Sequence, residues 1–220
     1  MIKQFGLEYN EGAAWNLSFS LETRRVTSLY EQCFDSKRLN VKPWKILVCL
    51  CASTPRSDCI IVGGVVEAWV QVDVKDYWSS NEHRKAELAL EYLMMGIRRV
   101  AEQMMWDIAP FEEARAKVLD AKFMNHRIWK KPVSNEERTL TAEVVVDHQI
   151  SRALISIVIR DKKSKDVLSI HPVVEDLPDE FIYASHIGKL HWVGKSRVEL
   201  YARDDPNRKI AVDIHLRDQQ

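Results

Sequence analysis

The sequence predicts an α+β fold: a large, mostly antiparallel β-sheet built from N- and C-terminal strands and packed against a central pair of α-helices. Two observations carry this. Apolar and polar residues alternate with period two at both ends of the chain, and the one long run with helical periodicity, Ser79 to Asn125, lies between them. Strands, helices and strands again, joined by short polar turns, read as one α+β domain over residues 1–220. Its strands fall at about 2–74, its helices at about 80–125 and its remaining strands at about 139–216. A break near residues 130–138 is compatible with two domains. One is expected, because each half alone would leave an apolar sheet face uncovered.

From the N-terminus, Phe5, Leu7 and Tyr9 alternate, a turn follows at Asn10-Glu11-Gly12, and Trp15, Leu17, Phe19 and Leu21 alternate again. The pair predicts a β-hairpin. Val26, Leu29, Tyr30, Cys33 and Phe34 fit either a short helix or an irregular strand. Trp44 to Ala52 is continuously apolar, as in a strand covered on both faces. Ile60 to Val74 resumes the alternation. Gly63-Gly64 inside it, with no helix opening behind, indicates a bulge or a close backbone approach and not a phosphate loop.

In the central stretch Ser79 and Glu82 have capping-box spacing, and Ala86, Ala89, Leu93, Ile97, Val100 and Met104 recur at three- and four-residue steps. Asp107 and Pro110 open a second helix, striped by Phe111, Ala114 and Val118. The methionines (Met94, Met95, Met104, Met105) read as core, since their spacing is what burial requires. Gly96 costs about 1 kcal/mol mid-helix, so it marks a close crossing with the sheet.

Beyond a polar connection at Lys130 to Arg138, the segments Thr139–Asp147, Ala153–Arg160 and Val167–Ile170 predict a meander. A loop follows, from His171-Pro172 through the acidic Glu175, Asp176, Asp179 and Glu180. Phe181–Ser185 and Leu190–Val193 are short strand candidates, and a hairpin turns at Asp204-Asp205-Pro206-Asn207.

Lys+Arg and Asp+Glu both number 32, so net charge is zero and general nucleic-acid binding is not expected. Residues 1–5 lack a secretory leader's pattern, and no stretch reaches the ~20 apolar residues of a spanning helix. A cytoplasmic chain with reduced cysteines, no membrane association and no cofactor is the expectation.

Cys49 and Cys51 share one face of a strand and Cys59 follows a loop, the outline of a soft-metal site. That spacing suits inert buried thiols better than zinc ligands. His186 and His191, five apart, with a carboxylate, outline a metal-assisted hydrolase whose site forms only on folding. Asp213 and His215 share a strand face without a third partner. No nucleophile elbow, P-loop or dinucleotide fingerprint is present.

Seven tryptophans in 220 residues favour protein contact, and Trp129 beside Lys130-Lys131 is the candidate exposed anchor, whereas Trp69 reads as buried. The leading expectation is a non-catalytic protein-binding module of the bacterial immunity or inhibitor kind. It would engage a basic partner through Glu175, Asp176, Asp179 and Glu180 or through Asp204 and Asp205. A third reading is a homo-oligomer paired along an edge strand at Thr139–Asp147.

Overall fold

The computed structural model describes residues 2–39, 44–54, 56 and 59–214, and of Ala13, Ala14 and Trp15 the backbone alone. The fold is α+β. The chain divides into two compact units, Met1–Asn125 and His126–Gln220. The expected single sheet drawn from both ends is replaced by three: a mixed four-stranded sheet in the first unit, and a four-stranded and a three-stranded antiparallel sheet in the second. Each half covers its own sheet, which removes the reason for expecting one body.

In the first unit β1 (Gln4–Tyr9), β2 (Ile46–Ala52) and β4 (Val65–Gln71) run parallel, and β3 (Ile60–Val62) closes the sheet antiparallel in the order β1-β2-β4-β3. The predicted N-terminal hairpin is absent, because its second arm is helix α1 (Ala13–Cys33). The alternation at Leu17 to Leu21 was short-range coincidence. Among its buried positions Phe19, Thr23, Val26, Thr27 and Tyr30 make a 3.6-residue stripe that two threonines disguise. Thr23 fits there by donating its hydroxyl to the Phe19 carbonyl (2.8 Å). A helix between β1 and β2 is the usual crossover of a parallel pair.

Helices α2 (Val74–Ser79), α3 (Glu82–Met104) and α4 (Ala109–Asp120) follow. Ser79 ends α2 and does not cap α3. The cap is Asn81, whose Oδ1 accepts from Arg84 N (2.9 Å). Phe5, Leu7, Leu47, Cys49, Val66 and Val70 meet α1, α3 and α4 in one core. At its centre the Phe5 ring sits 4.9 Å from Tyr30 and 5.2 Å from Phe34, both edge-on. Gly96 marks the expected close crossing, against Cys49 and Val70. Gly63 and Gly64 hold positive φ (59° and 89°) in the two-residue turn between β3 and β4, so they make a hairpin turn and not a bulge. Of the methionines Met94 is core, but Met105 is 92% exposed.

In the second unit β5 (His126–Ser134), β6 (Leu140–His148), β7 (Ala153–Asp161) and β8 (Val167–Asp176) form the meander in chain order. The expected polar connection at Lys130 is β5 itself, and the expected loop after Ile170 is the continuation of β8 through Pro172. Edge strands accept such prolines, and both strands carry register shifts. Phe181 to Ser185 is not a strand but one turn of helix, α5 (Glu180–Tyr183), running on into a 3-10 turn. Strands β9 (Leu190–Val193), β10 (Arg197–Tyr201) and β11 (Lys209–Asp213) give the third sheet, in the order β11-β10-β9. Ala142, Val144, Ile155, Ile157, Val198 and Leu200 meet in the core of this unit. No helix of the described residues is long and apolar enough to cross a membrane.

Several sheet margins are obstructed, each differently. On β1 the Phe5 N–H donates to Glu31 (2.9 Å) and the Phe5 carbonyl accepts from Arg24 (3.2 Å), with Arg24 and Glu31 paired to each other. Beyond the end of β3, Arg99 donates to the Trp69 carbonyl. β5 carries Lys130, Lys131 and Pro132, and β8 carries Pro172. The homo-oligomer reading meets a direct obstacle here: Thr139–Asp147 corresponds to β6, which is interior, bonded to β5 and β7 on its two sides.

A Cβ added at Gly96 would overlap the Cys49 sulfur, so Gly96→Ala is expected to destabilise the first unit by about 2 kcal/mol despite alanine's better helix propensity. Cys49→Ala in the same chain should return part of the loss, read from urea midpoints in a double-mutant cycle. At the end of α3, Trp106 N donates to Ala101 O (2.8 Å) and Met105 N to Glu102 O (3.3 Å), a Schellman motif with methionine at φ 54° where glycine is usual. Met105→Gly should raise stability by about 0.5–1 kcal/mol in the same assay.

Candidate protein-binding surface

One end of the four-stranded sheet in the second unit gathers most of the residues singled out in the sequence. His148, Ala153 and Asp176 lie side by side on β6, β7 and β8. β8 stops there, and Asp179 starts α5 by accepting from Phe181 N (2.8 Å). Tyr183 points inward and is fully buried, edge-on to Trp129 (5.3 Å) and to His148 (5.7 Å). Trp129 is half-buried: its ring packs edge-on against Tyr183 and carries the Arg127 guanidinium 4.7 Å from its centroid.

Two imidazoles hold the segment between β8 and β9. His148, 2% exposed, donates from Nε2 to the Pro178 carbonyl (2.9 Å), and its Nδ1 lies 3.9 Å from a Glu180 carboxylate oxygen. His186 donates from Nε2 to Asp176 Oδ2 (2.7 Å). Glu175 pairs with Arg152 (2.9 Å). The acidic segment is therefore not a free negative patch, for each of its four carboxylates faces a partner or caps the helical turn. What that scaffold presents is apolar: Phe181 is 80% exposed, with Leu177 and Ile182 exposed beside it in the chain. Sequence reasoning missed Phe181 because it read the segment as a strand, where an aromatic residue beside alternating positions looks like core.

The remaining candidates lie elsewhere. His191 stacks on Tyr201 (5.2 Å) and has Nε2 3.9 Å from Glu199, so it takes different partners from His186. Glu199 also accepts from Lys209 Nζ (2.8 Å) and from the Tyr201 hydroxyl (2.8 Å), and these two bonds, Lys209 first, hold its carboxyl below the usual range. Asp204 and Asp205 shape the β10–β11 turn by accepting from Arg208 and from Asn207 N. Asp213 faces Arg197 (3.7 Å), and its suggested companion His215 lies outside the described residues. Cys49, Cys51 and Cys59 are buried, and burial pushes the Cys49 and Cys51 thiols far up, away from the thiolate a metal needs. Among the described residues no group of three or more His, Cys, Asp or Glu is arranged to hold a metal ion.

A depression of about 620 Å³ opens in the first unit outside the carboxyl ends of β1, β2 and β4, where open parallel sheets place ligands. Its carboxylates already serve the fold. Glu11 accepts from Ser53 N (2.7 Å), Ser53 Oγ (2.6 Å) and the Tyr9 hydroxyl (2.9 Å), and Asp73 caps α2. Compared with protein-family models, with curated proteins and with solved structures, the chain finds no match.

Glu199 offers a pH test with a defined sign. Its folded pKa lies below the ordinary 4.5, so its contribution to stability is present above about pH 4.5 and is lost as pH falls through the lower folded value. Glu199→Gln should lower stability at neutral pH and make the decline below about pH 4.5 shallower than in the native chain, as read from urea midpoints across that range.

Proposed function

We propose that this chain is a protein-binding module of the immunity or inhibitor kind, acting by covering a partner's surface, with Phe181 as its anchor. The observation that carries the reading is the contrast within α5: Tyr183 is buried and locked while Phe181, two residues before it, is 80% exposed. An exposed aromatic ring on a turn fixed by a helix cap and two imidazole hydrogen bonds is ordered before binding, so little entropy is lost when it docks. Leu177 and Ile182, exposed in the same segment, add apolar side chains near it in the chain.

Phe181→Asp should weaken a purified one-to-one complex with the partner polypeptide by ~30-fold or more, about 2 kcal/mol, while circular dichroism and the melting midpoint stay unchanged. Leu17→Asp, at an exposed leucine of the first unit, serves as the control and should leave the complex intact. A complex that survives Phe181→Asp with Leu177→Asp overturns the assignment of this surface.

A further inference from the structure

We propose that two copies of this chain associate through the outer face of the first unit's sheet, with Glu8 of each copy set against Arg56 of the other.

The face follows from the register. Phe5, Leu7, Leu47, Cys49, Val66 and Val70 point toward the helices, so the residues between them point away. On β2 these are Ile46, Val48 and Leu50. Val65 lies beside Ile46, and Glu67 and then Ile60 lie beside Val48 in the next row. The last row runs Glu8, Leu50, Trp69. Ile46, Val48, Leu50, Val65 and Ile60 are all half-buried, and none belongs to the core formed with the helices. A run of aliphatic side chains is thus left partly in water. Strands that run parallel, as β1, β2 and β4 do, are nearly always covered on both faces, and α1, α3 and α4 supply one cover only.

Charge indicates what supplies the other. Glu8 is exposed at the β1 margin of its row. At the far end of the same row β3 has already ended, and the exposed Arg56 holds its guanidinium 5.1 Å from the Trp69 ring centroid. Neither Glu8 nor Arg56 has an ion-pair partner among the described residues. A two-fold axis along the strands, near β2, reverses strand order and keeps strand direction. It sets β1 of one copy over β4 of the other, hence Glu8 over the Trp69–Arg56 end, and does so at both ends of the dimer. Ile46, Val48 and Leu50 then meet their own counterparts. Glu67, the charged residue within the rows, falls over Gly6, where no side chain stands and the sheet margin gives its carboxylate access to water. An unrelated partner would need its own acid and base at these two places; a second copy has them by symmetry.

A face four strands wide and three rows deep, at spacings of about 4.8 Å and about 6.8 Å, covers about 400 Å² on each copy. The total, about 800 Å², is half the standard interface, so the dimer is weak and concentration-dependent, with a dissociation constant on the order of 10 µM.

The test is sedimentation equilibrium on the full chain from about 1 µM to about 200 µM, over which the native protein should pass from monomer to dimer. Val48→Asp should raise the dissociation constant about 30-fold or more, while both proteins still melt cooperatively at about 1 µM. Glu8→Arg and Arg56→Glu, at two exposed positions that spare the fold, should each weaken the dimer about tenfold, because symmetry doubles the modest worth of one exposed pair. The double variant restores opposite charges and should return to within about twofold of the native value. Phe181→Asp should leave the dimer intact. A chain still monomeric at about 200 µM, its face bare or kept for a different protein, overturns the proposal. So does a dimer that ignores Val48→Asp, or a double variant as weak as the single ones. None of these failures touches the Phe181 assignment, which is read from a complex with another polypeptide.

Discussion

A β-sheet ends in a row of backbone donors and acceptors that must be satisfied or obstructed, and the architecture of this protein depends on how each row is ended. In the first unit side chains do the work of a missing strand. Glu31 and Arg24, on one face of α1, take the N–H and carbonyl of Phe5 and hold each other in place. The same helix buries Phe19, Val26 and Tyr30 over the sheet, so its docking and the closure of the β1 margin are one event. Proline, lysine and register shifts blunt the two margins of the meander instead.

In the second unit an exposed aromatic residue, Phe181, sits on a turn held by hydrogen bonds. Its backing is made of polar residues in structural roles: Asp179 caps, Asp176 and Pro178 are held by imidazoles, and Trp129 supports Tyr183. Charged residues that look like a solvated acidic loop in the sequence thus hold the turn that carries an exposed aromatic side chain.

The legibility of these features differs residue by residue. Strands β6 and β7 and the last hairpin were readable because each alternates apolar and polar residues against one covered face, whereas β5 and the second half of β8 were not. Helix α3 was readable because Ala86 to Met104 repeats its stripe over several turns, and Gly96 was recognisable as a crossing point from its cost alone. Helix α1 was not, since Thr23 and Thr27 stand on its buried face and the first turns alternate by chance. Of the candidate surface, the acids, Trp129 and His186 were named, but not the residues they pack against and bond to. Asp176 and His186 are ten residues apart, and His148 and Pro178 thirty apart, so nothing local links either pair.

By itself the sequence determined what local pattern can determine: an α+β chain, the stretches with strand or helix periodicity, and the lack of a long apolar helix or a catalytic fingerprint. Tertiary structure decided which strands pair, that the first sheet is mostly parallel, that β6 is interior, and that Phe181 faces out while Tyr183 faces in. The reason is physical. Periodicity is set by neighbours three or four positions away, whereas pairing, burial and the protonation environment of an imidazole are set by residues that meet only when distant segments are brought together.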